Sequence, residues 1–188
     1  MRPFQSLPVL AFFFIGCGGG SDSTNKQAAE GSSEGSSAVQ VPTGGGTATT
    51  IHLVISGGPH AGTYDAKSSD LTCSYGFAGK GSWGNQYSVT GKKPNEFSSL
   101  QLIVPDTKDA ADGTDKFLMT VGFGQLMQPG YTEHTINTQP SASKMEGSGT
   151  LTVDDRGQTG KVTFKGKSGD GAGLEGTIDC HQLMRSEG

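Results

Sequence analysis

Four aspartates form the densest acidic group in the sequence and are the first candidates for metal chemistry. They are Asp106, Asp109, Asp112 and Asp115, at intervals of three residues. Calcium binds in loops that supply about six to eight oxygen ligands, often from alternate residues. An interval of three does not give that pattern, and Lys108 and Lys116 partly neutralise the group. We therefore expect a solvated loop between strands and no metal site, with a weakly bound Ca²⁺ as the alternative.

Histidine and serine residues come next, because they could support zinc binding or hydrolysis. The four histidines, His52, His60, His134 and His181, lie on separate segments without the paired spacing of a zinc site. Residues 49–188 contain no Gly-x-Ser-x-Gly segment, which would place a nucleophilic serine on a sharp turn. No catalytic residue and no cofactor are therefore predicted. An enzyme whose site is assembled from separate loops remains an alternative.

A third candidate is the set of aromatic residues around the single tryptophan, Trp83. The simplest interpretation is that Trp83 packs in the core or at its rim. The alternative is an exposed strip that binds a sugar ring or a protein partner, because aromatic faces offer a large contact area at little conformational cost. That strip would consist of Trp83, Tyr75, Tyr87 and Tyr64.

The elements that must position these residues are short strands. Apolar and polar residues alternate in runs such as Ile51, Leu53 and Ile55, or Phe117, Met119, Val121 and Phe123. Segments rich in Gly and Asp at 154–157 and 167–171 predict hairpin turns. No window has the spacing of an amphipathic helix. We predict an all-β domain of about eight to ten short, mostly antiparallel strands, as a β-sandwich or a small β-barrel.

The charge of the chain gives no indication of a nucleic-acid partner. There are 14 Lys and Arg against 18 Asp and Glu, for a net charge of −4. Domains that bind nucleic acid usually carry a basic patch or stripe. The slightly negative net charge gives no indication of such a patch, and nucleic acid is not an expected partner.

The N-terminal residues have the pattern of an export signal. Arg2 precedes an apolar run at residues 7–15, which is shorter than the about 20 residues that a membrane-spanning helix needs. The run ends in Phe14-Ile15-Gly16-Cys17, which resembles the lipobox of bacterial lipoproteins. The resemblance implies that residues 1–16 are removed and that Cys17 carries a diacylglycerol and an acyl chain such as palmitate. An ordinary secretory leader is the alternative.

Residues 17–48 would then connect the lipid to the domain. Positions 18–48 contain 8 Gly and 6 Ser in 31 residues without periodicity, a composition that predicts a flexible, disordered tether. Gly18 follows the cysteine, at the position where an aspartate marks inner-membrane retention in some bacteria. The absence of that aspartate favours the outer membrane or the cell surface.

Two cysteines remain once Cys17 is assigned to the lipid. An even pair in an exported protein implies a disulfide between Cys73 and Cys180. The bridge would tie an early strand to the last one. Two free, buried thiols are the alternative.

Together these features predict an envelope-anchored lipoprotein in which residues 49–188 form a non-enzymatic, β-rich binding or structural module. Besides an envelope enzyme, the alternative is a carrier that holds a small hydrophobic ligand inside a β-barrel. The expected partners are the membrane, through the lipid anchor, and an envelope protein or glycan. The domain is expected to be a monomer.

Overall fold

Strands dominate the part of the chain that the computed structural model describes, residues 48–68 and 71–186. Eleven strands occur there: β1 (Thr49–Ser56), β2 (Gly62–Ser68), β3 (Thr72–Tyr75), β4 (Trp83–Ser88), β5 (Phe97–Val104), β6 (Leu118–Phe123), β7 (Thr132–Asn137), β8 (Ser148–Asp155), β9 (Gly160–Lys167), β10 (Gly173–Cys180) and β11 (Leu183–Arg185). One short helix, α1 (Thr107–Ala110), lies between β5 and β6. The predicted all-β class is confirmed, with one strand more than the expected range.

The strands form two open sheets. The five-stranded sheet has the order β2-β1-β10-β9-β8 and is antiparallel throughout. The six-stranded sheet has the order β11-β3-β4-β5-β6-β7, and its one parallel pair is β11 with β3. The buried faces of both sheets contribute to one hydrophobic core. The fold is therefore a β-sandwich, and of the two predicted architectures the small barrel is not the one formed.

The alternating sequence runs supply the core, because successive residues of a strand point to opposite faces. In β1, Ile51, Leu53 and Ile55 are buried, whereas His52 and Val54 between them are exposed. Phe117, Met119, Val121 and Phe123 are likewise completely buried. The period of two in the sequence thus gives the inner and outer faces of both sheets.

Both predicted turns connect hairpins of the five-stranded sheet. Between β8 and β9, the amide of Arg156 donates to the carbonyl of Thr159 (2.9 Å), and Gly157 has a φ of 85°. Between β9 and β10, the amide of Ser168 donates to the carbonyl of Ala172 (2.8 Å), and Gly171 has a φ of 96°. Glycine suits these two positions because a positive φ brings no steric penalty when Cβ is absent. The turn predictions are confirmed.

The described strands belong to one compact unit, Thr43–Gly188. In residues 48–68 and 71–186, no helix has the length and apolar content needed to cross a bilayer.

Candidate functional site

A buried disulfide joins the two sheets within the core. Cys73 on β3 and Cys180 at the end of β10 are bonded at an S–S distance of 2.01 Å, across a sequence separation of 107. Both side chains are buried, at 1% and 3% exposure. The bridge that the sequence implied is therefore present, and it connects an inner strand of each sheet.

A buried asparagine links this disulfide to the tryptophan. The Nδ2 of Asn85 on β4 donates to Cys73 Sγ (2.9 Å) and lies 3.2 Å from Cys180 Sγ. Its Oδ1 accepts a hydrogen bond from Trp83 Nε1 (2.8 Å). A buried polar group without such partners is costly, so Asn85 lets the indole N–H lie inside the core.

Trp83 is a core residue beside the disulfide. Its side chain is completely buried, and it packs directly on the backbone of β9 at Gly160. A Cβ at Gly160 would lie 2.5 Å from Cη2 of the indole, which is closer than carbon atoms can approach. Glycine is therefore required there so that the two sheets can close over the indole.

The other three aromatic residues of the proposed strip do not join Trp83 on an exposed surface. Tyr87 is 7% exposed, and burial raises the pKa of its hydroxyl. Tyr64, on the five-stranded sheet, donates from its hydroxyl to the carbonyl of His60 (2.9 Å). Tyr75, on the six-stranded sheet, has the guanidinium of Arg185 over its ring, 4.6 Å from the centroid. Because Trp83 and Tyr87 point into the core, these four rings form no common strip for a sugar or a partner.

Two histidines that the sequence placed on separate segments meet at one end of the sandwich. The ring of His60, in the loop between β1 and β2, stacks on Phe123 of β6 with centroids 4.0 Å apart. Its Nε2 lies 2.8 Å from the hydroxyl of Thr132. The ring of His134 on β7 is edge-on to His60 at 5.3 Å. We call His60, Phe123, Thr132 and His134, together with Asp170, the histidine cluster.

Asp170 orients the imidazole of His134. Its Oδ2 lies 2.8 Å from His134 Nδ1, and its other oxygen accepts a hydrogen bond from the Ser168 hydroxyl. Burial opposes the charged carboxylate, but the hydrogen bonds from Ser168 and His134 outweigh it, and the pKa of Asp170 is lowered. A carboxylate that binds one ring nitrogen in this way fixes the orientation of the imidazole, as a histidine base requires.

The cluster also holds a buried polar atom without a hydrogen bond. Nε2 of His134 has no partner among the described residues, and the side chain is 2% exposed. The pKa of His60 is lowered, first by burial and then by the nearby His134, while Asp170 acts in the opposite direction. A neutral His60 therefore suits this site better than a charged one.

The remaining two histidines lie apart from the cluster. His52 is on the outer face of β1, where its Nδ1 lies 2.7 Å from Asp65 Oδ1 across the pair with β2. His181 follows β10, and its backbone amide donates to Thr49 Oγ1 (3.3 Å). Both residues are exposed, so the four histidines divide into a buried pair and two surface residues.

The acidic segment surrounds α1 and caps it. Oδ1 of Asp106 accepts a hydrogen bond from the amide of Lys108 (2.9 Å), which satisfies a free N–H at the start of the helix. Asp109 lies 4.0 Å from Lys116 Nζ. Among the described residues, no group of three or more His, Cys, Asp or Glu side chains is placed to hold a metal ion. The positions of Asp106, Asp109, Asp112 and Asp115 thus do not support the calcium alternative.

An open groove of about 460 Å³ lies beside this helix. Its walls are Tyr75, Thr107, Lys108, Ala111, Val153, Asp154 and Asp155. The two carboxylates are already paired, Asp154 with Arg156 and Asp155 with Arg185. The groove therefore has mixed polar and apolar walls, and both of its carboxylates are bound by arginines.

Cys17 and the whole segment 1–47 lie outside the described residues. The signal peptide, the lipid on Cys17 and the tether therefore stay predictions. No family model, curated protein or solved structure matches this chain. The chemistry of the domain has to follow from its own residues.

Proposed function

We propose that this chain is an exported bacterial lipoprotein, anchored through Cys17, whose β-sandwich is displayed at the envelope as a non-enzymatic binding or structural module. The anchor would hold the module at the outer membrane or the cell surface. Its partners would be an envelope protein or a glycan, besides the membrane itself.

The observation that supports export is the buried Cys73–Cys180 disulfide. Structural disulfides form and persist in oxidising compartments, whereas the cytosol keeps thiols reduced. This disulfide is part of a hydrogen-bonded group in the core. Asn85 donates to its Cys73 sulfur, and the same asparagine accepts a hydrogen bond from the Trp83 indole. A disulfide-bonded core agrees with export, which the lipobox-like sequence before the domain also predicts.

An envelope enzyme is the second candidate, and the His134–Asp170 pair is the observation that favours it. A hydrolase would need a nucleophile beside the imidazole. The Ser168 hydroxyl instead lies within hydrogen-bonding distance of Asp170 and of the Ala172 carbonyl, at 3.0 Å from the latter. Because no described hydroxyl pairs with His134 Nε2, the binding module is the better proposal. Hydrolysis of short-chain acyl esters by the purified domain, lost in His134→Gln, would reverse this preference.

Metabolic labelling with an alkyne fatty acid tests the anchor. The full chain, expressed in a bacterium that processes lipoproteins, should incorporate the label and stay with the membrane fraction. Cys17→Ala should lose both, while Gly18→Ala, which changes the adjacent residue and keeps the thiol, should retain both. Equal labelling of the wild type and Cys17→Ala would rule out this anchor.

A further inference from the structure

Two loops at the end of the six-stranded sheet are braced into one tip. They are residues 89–96 between β4 and β5 and residues 124–131 between β6 and β7. The amide of Gly91 donates to Gln125 Oε1 (2.6 Å), and the amide of Gly124 donates to the carbonyl of Glu96 (2.9 Å). Pro94 also packs against Gly130. We call these two loops the loop tip.

The apex of the loop tip is apolar and faces solvent. Leu126 is 56% exposed and Met127 is 91% exposed. Of the large hydrophobic side chains that are exposed in the described part of the chain, these two alone are sequence neighbours; the others are Val54, Phe77, Met145 and Met184. Single exposed apolar residues are ordinary, whereas these two neighbours form a small contiguous apolar patch.

The backbone holds this apex in an unusual conformation. Met127 has a φ of 63°, in the left-handed region that residues with a Cβ seldom adopt. The turn is closed by the amide of Gln128 donating to the carbonyl of Gln125 (3.0 Å). A strained, exposed methionine persists only where the surrounding contacts impose it, and such positions concentrate at binding loops.

The uncharged, partly apolar composition of residues 124–131 favours a lipid surface as the partner of the loop tip. Residues 124–131 contain no charged side chain, and Tyr131 lies at the base of that loop. The neighbouring loop adds Lys92, Lys93 and one carboxylate, Glu96, which accepts from the backbone amide of Lys93 (3.0 Å), and Glu133 of β7 accepts a hydrogen bond from the Tyr131 hydroxyl (3.3 Å). The two loops thus have a net charge of +1, and exposed apolar residues with a tyrosine and two lysines in the same loops suit the boundary between acyl chains and anionic headgroups.

We propose that the loop tip inserts Leu126 and Met127 shallowly into a bilayer that contains anionic phospholipid, with Lys92 and Lys93 contacting the headgroups. An apolar contact and an electrostatic contact together give reversible binding that neither gives alone. β1 begins at Thr49 at one end of the sandwich, and the loop tip lies at the other end. His60, which follows β1, packs there on Phe123, the last residue before the loop 124–131. The loop tip is therefore a site separate from the chain's entry at Thr49, and it does not depend on Cys17.

Vesicle flotation with the domain Thr43–Gly188 tests this site without the lipid anchor, because that unit contains the whole sandwich. The probes are vesicles of phosphatidylcholine alone and of equal parts phosphatidylcholine and phosphatidylglycerol. The domain should float with the anionic vesicles and much less with the neutral ones. Leu126→Asp with Met127→Asp should reduce the partition coefficient about tenfold or more, because a carboxylate is strongly disfavoured at this depth. Phe77→Asp, at a separate exposed apolar residue, should leave it unchanged.

A fluorescent label distinguishes insertion from adsorption. Cys73 and Cys180 are bonded to each other, so Met127→Cys supplies a single free thiol for an environment-sensitive dye. The emission should shift to the blue on anionic vesicles, whereas a dye on Phe77→Cys should not respond. Lys92→Gln with Lys93→Gln should weaken flotation and its dependence on salt.

Three outcomes would overturn the proposal: no flotation of the wild-type domain, equal flotation of the aspartate variant, or equal shifts at the two dye positions. A photo-crosslinker at residue 127 that captures an envelope protein, without any flotation on vesicles, would reassign the loop tip to a protein partner. Since the domain used lacks Cys17, none of these results bears on the anchor, which the fatty-acid labelling tests separately.

Discussion

The imidazole of His60 lies parallel to the phenyl ring of Phe123, with the two planes inclined by 2°. This contact joins the β1–β2 loop of the five-stranded sheet to β6 of the six-stranded sheet. It places an ionisable ring at 4% exposure between the sheets, where it also approaches His134 and Asp170. The packing of the two sheets at this end of the sandwich therefore depends on the protonation state of His60.

We predict that the stability of the domain falls on mild acidification because of His60. Its pKa in the folded state lies below the ordinary value of 6.5, so protons bind more tightly to the unfolded chain. The stabilising contribution is complete above pH 6.5 and is lost as the pH falls through the lower, folded-state pKa. Urea unfolding between about pH 8 and pH 5 measures it, because the pKa of Asp170 lies below 3.8 and contributes only under more acidic conditions.

His60→Phe is the control for this pH dependence. A phenyl ring can keep the stacking on Phe123 while removing the titratable group. The dependence of the unfolding free energy on pH should become shallower in this variant. An unchanged dependence would mean that other groups cause the effect.

Two His–Asp contacts with similar Nδ1–Oδ distances should differ in their contribution to the free energy of unfolding. His134 is buried beside Asp170 at 2.8 Å, whereas His52 and Asp65 are both exposed at 2.7 Å. Asp170→Asn should cost about 1–2 kcal/mol, below the full range for a charged hydrogen bond because Asp170 itself is half exposed. Asp65→Asn should cost about 0–0.5 kcal/mol, as exposed ion pairs usually do. Denaturant unfolding of both variants provides the comparison, and equal losses would contradict the difference in burial.

We predict that the disulfide is complete in protein made in an oxidising compartment and that it contributes to stability. Thiol titration of the unreduced, denatured domain Thr43–Gly188 should find no free thiol, since its two cysteines are bonded to each other. Replacing both by alanine should lower the unfolding free energy by about 2–5 kcal/mol, the usual range for a native bridge. Two reactive thiols without reductant would show that the bridge does not form.

The strands and turns could be predicted because their causes are local. The alternation in β1 and the glycines at 157 and 171 act within a few residues, and the structure confirms them. The Cys73–Cys180 pair also followed, because excluding Cys17 left one pairing. The aromatic strip could not be judged in the same way. A period of two puts Trp83 and Tyr87 on one face of β4, but it does not say whether that face points inward.

The histidine cluster could not be predicted, because it depends on which loops the sandwich brings together. His134 and Asp170 are 36 residues apart, on β7 and in the β9–β10 loop, and neither residue has a local motif. Asn85 could have been recognised from the sequence, because it alternates with Trp83 and Tyr87 on the same face of β4. A polar residue between two aromatic residues that are both buried must have a buried partner, which here is the indole N–H together with the disulfide.

Asn85→Leu should destabilise the domain mainly by leaving the indole N–H of Trp83 without an acceptor. Leucine has a similar volume, so the expected loss of about 1–3 kcal/mol is the penalty of one buried, unsatisfied donor. Trp83→Phe removes that donor and opens a cavity of its own. The double variant should therefore lose less stability than the sum of the two single variants, by about 1 kcal/mol or more, because residues that share a hydrogen bond are coupled. Urea unfolding of the four proteins measures this coupling, and strict additivity would show that the Trp83–Asn85 hydrogen bond contributes nothing.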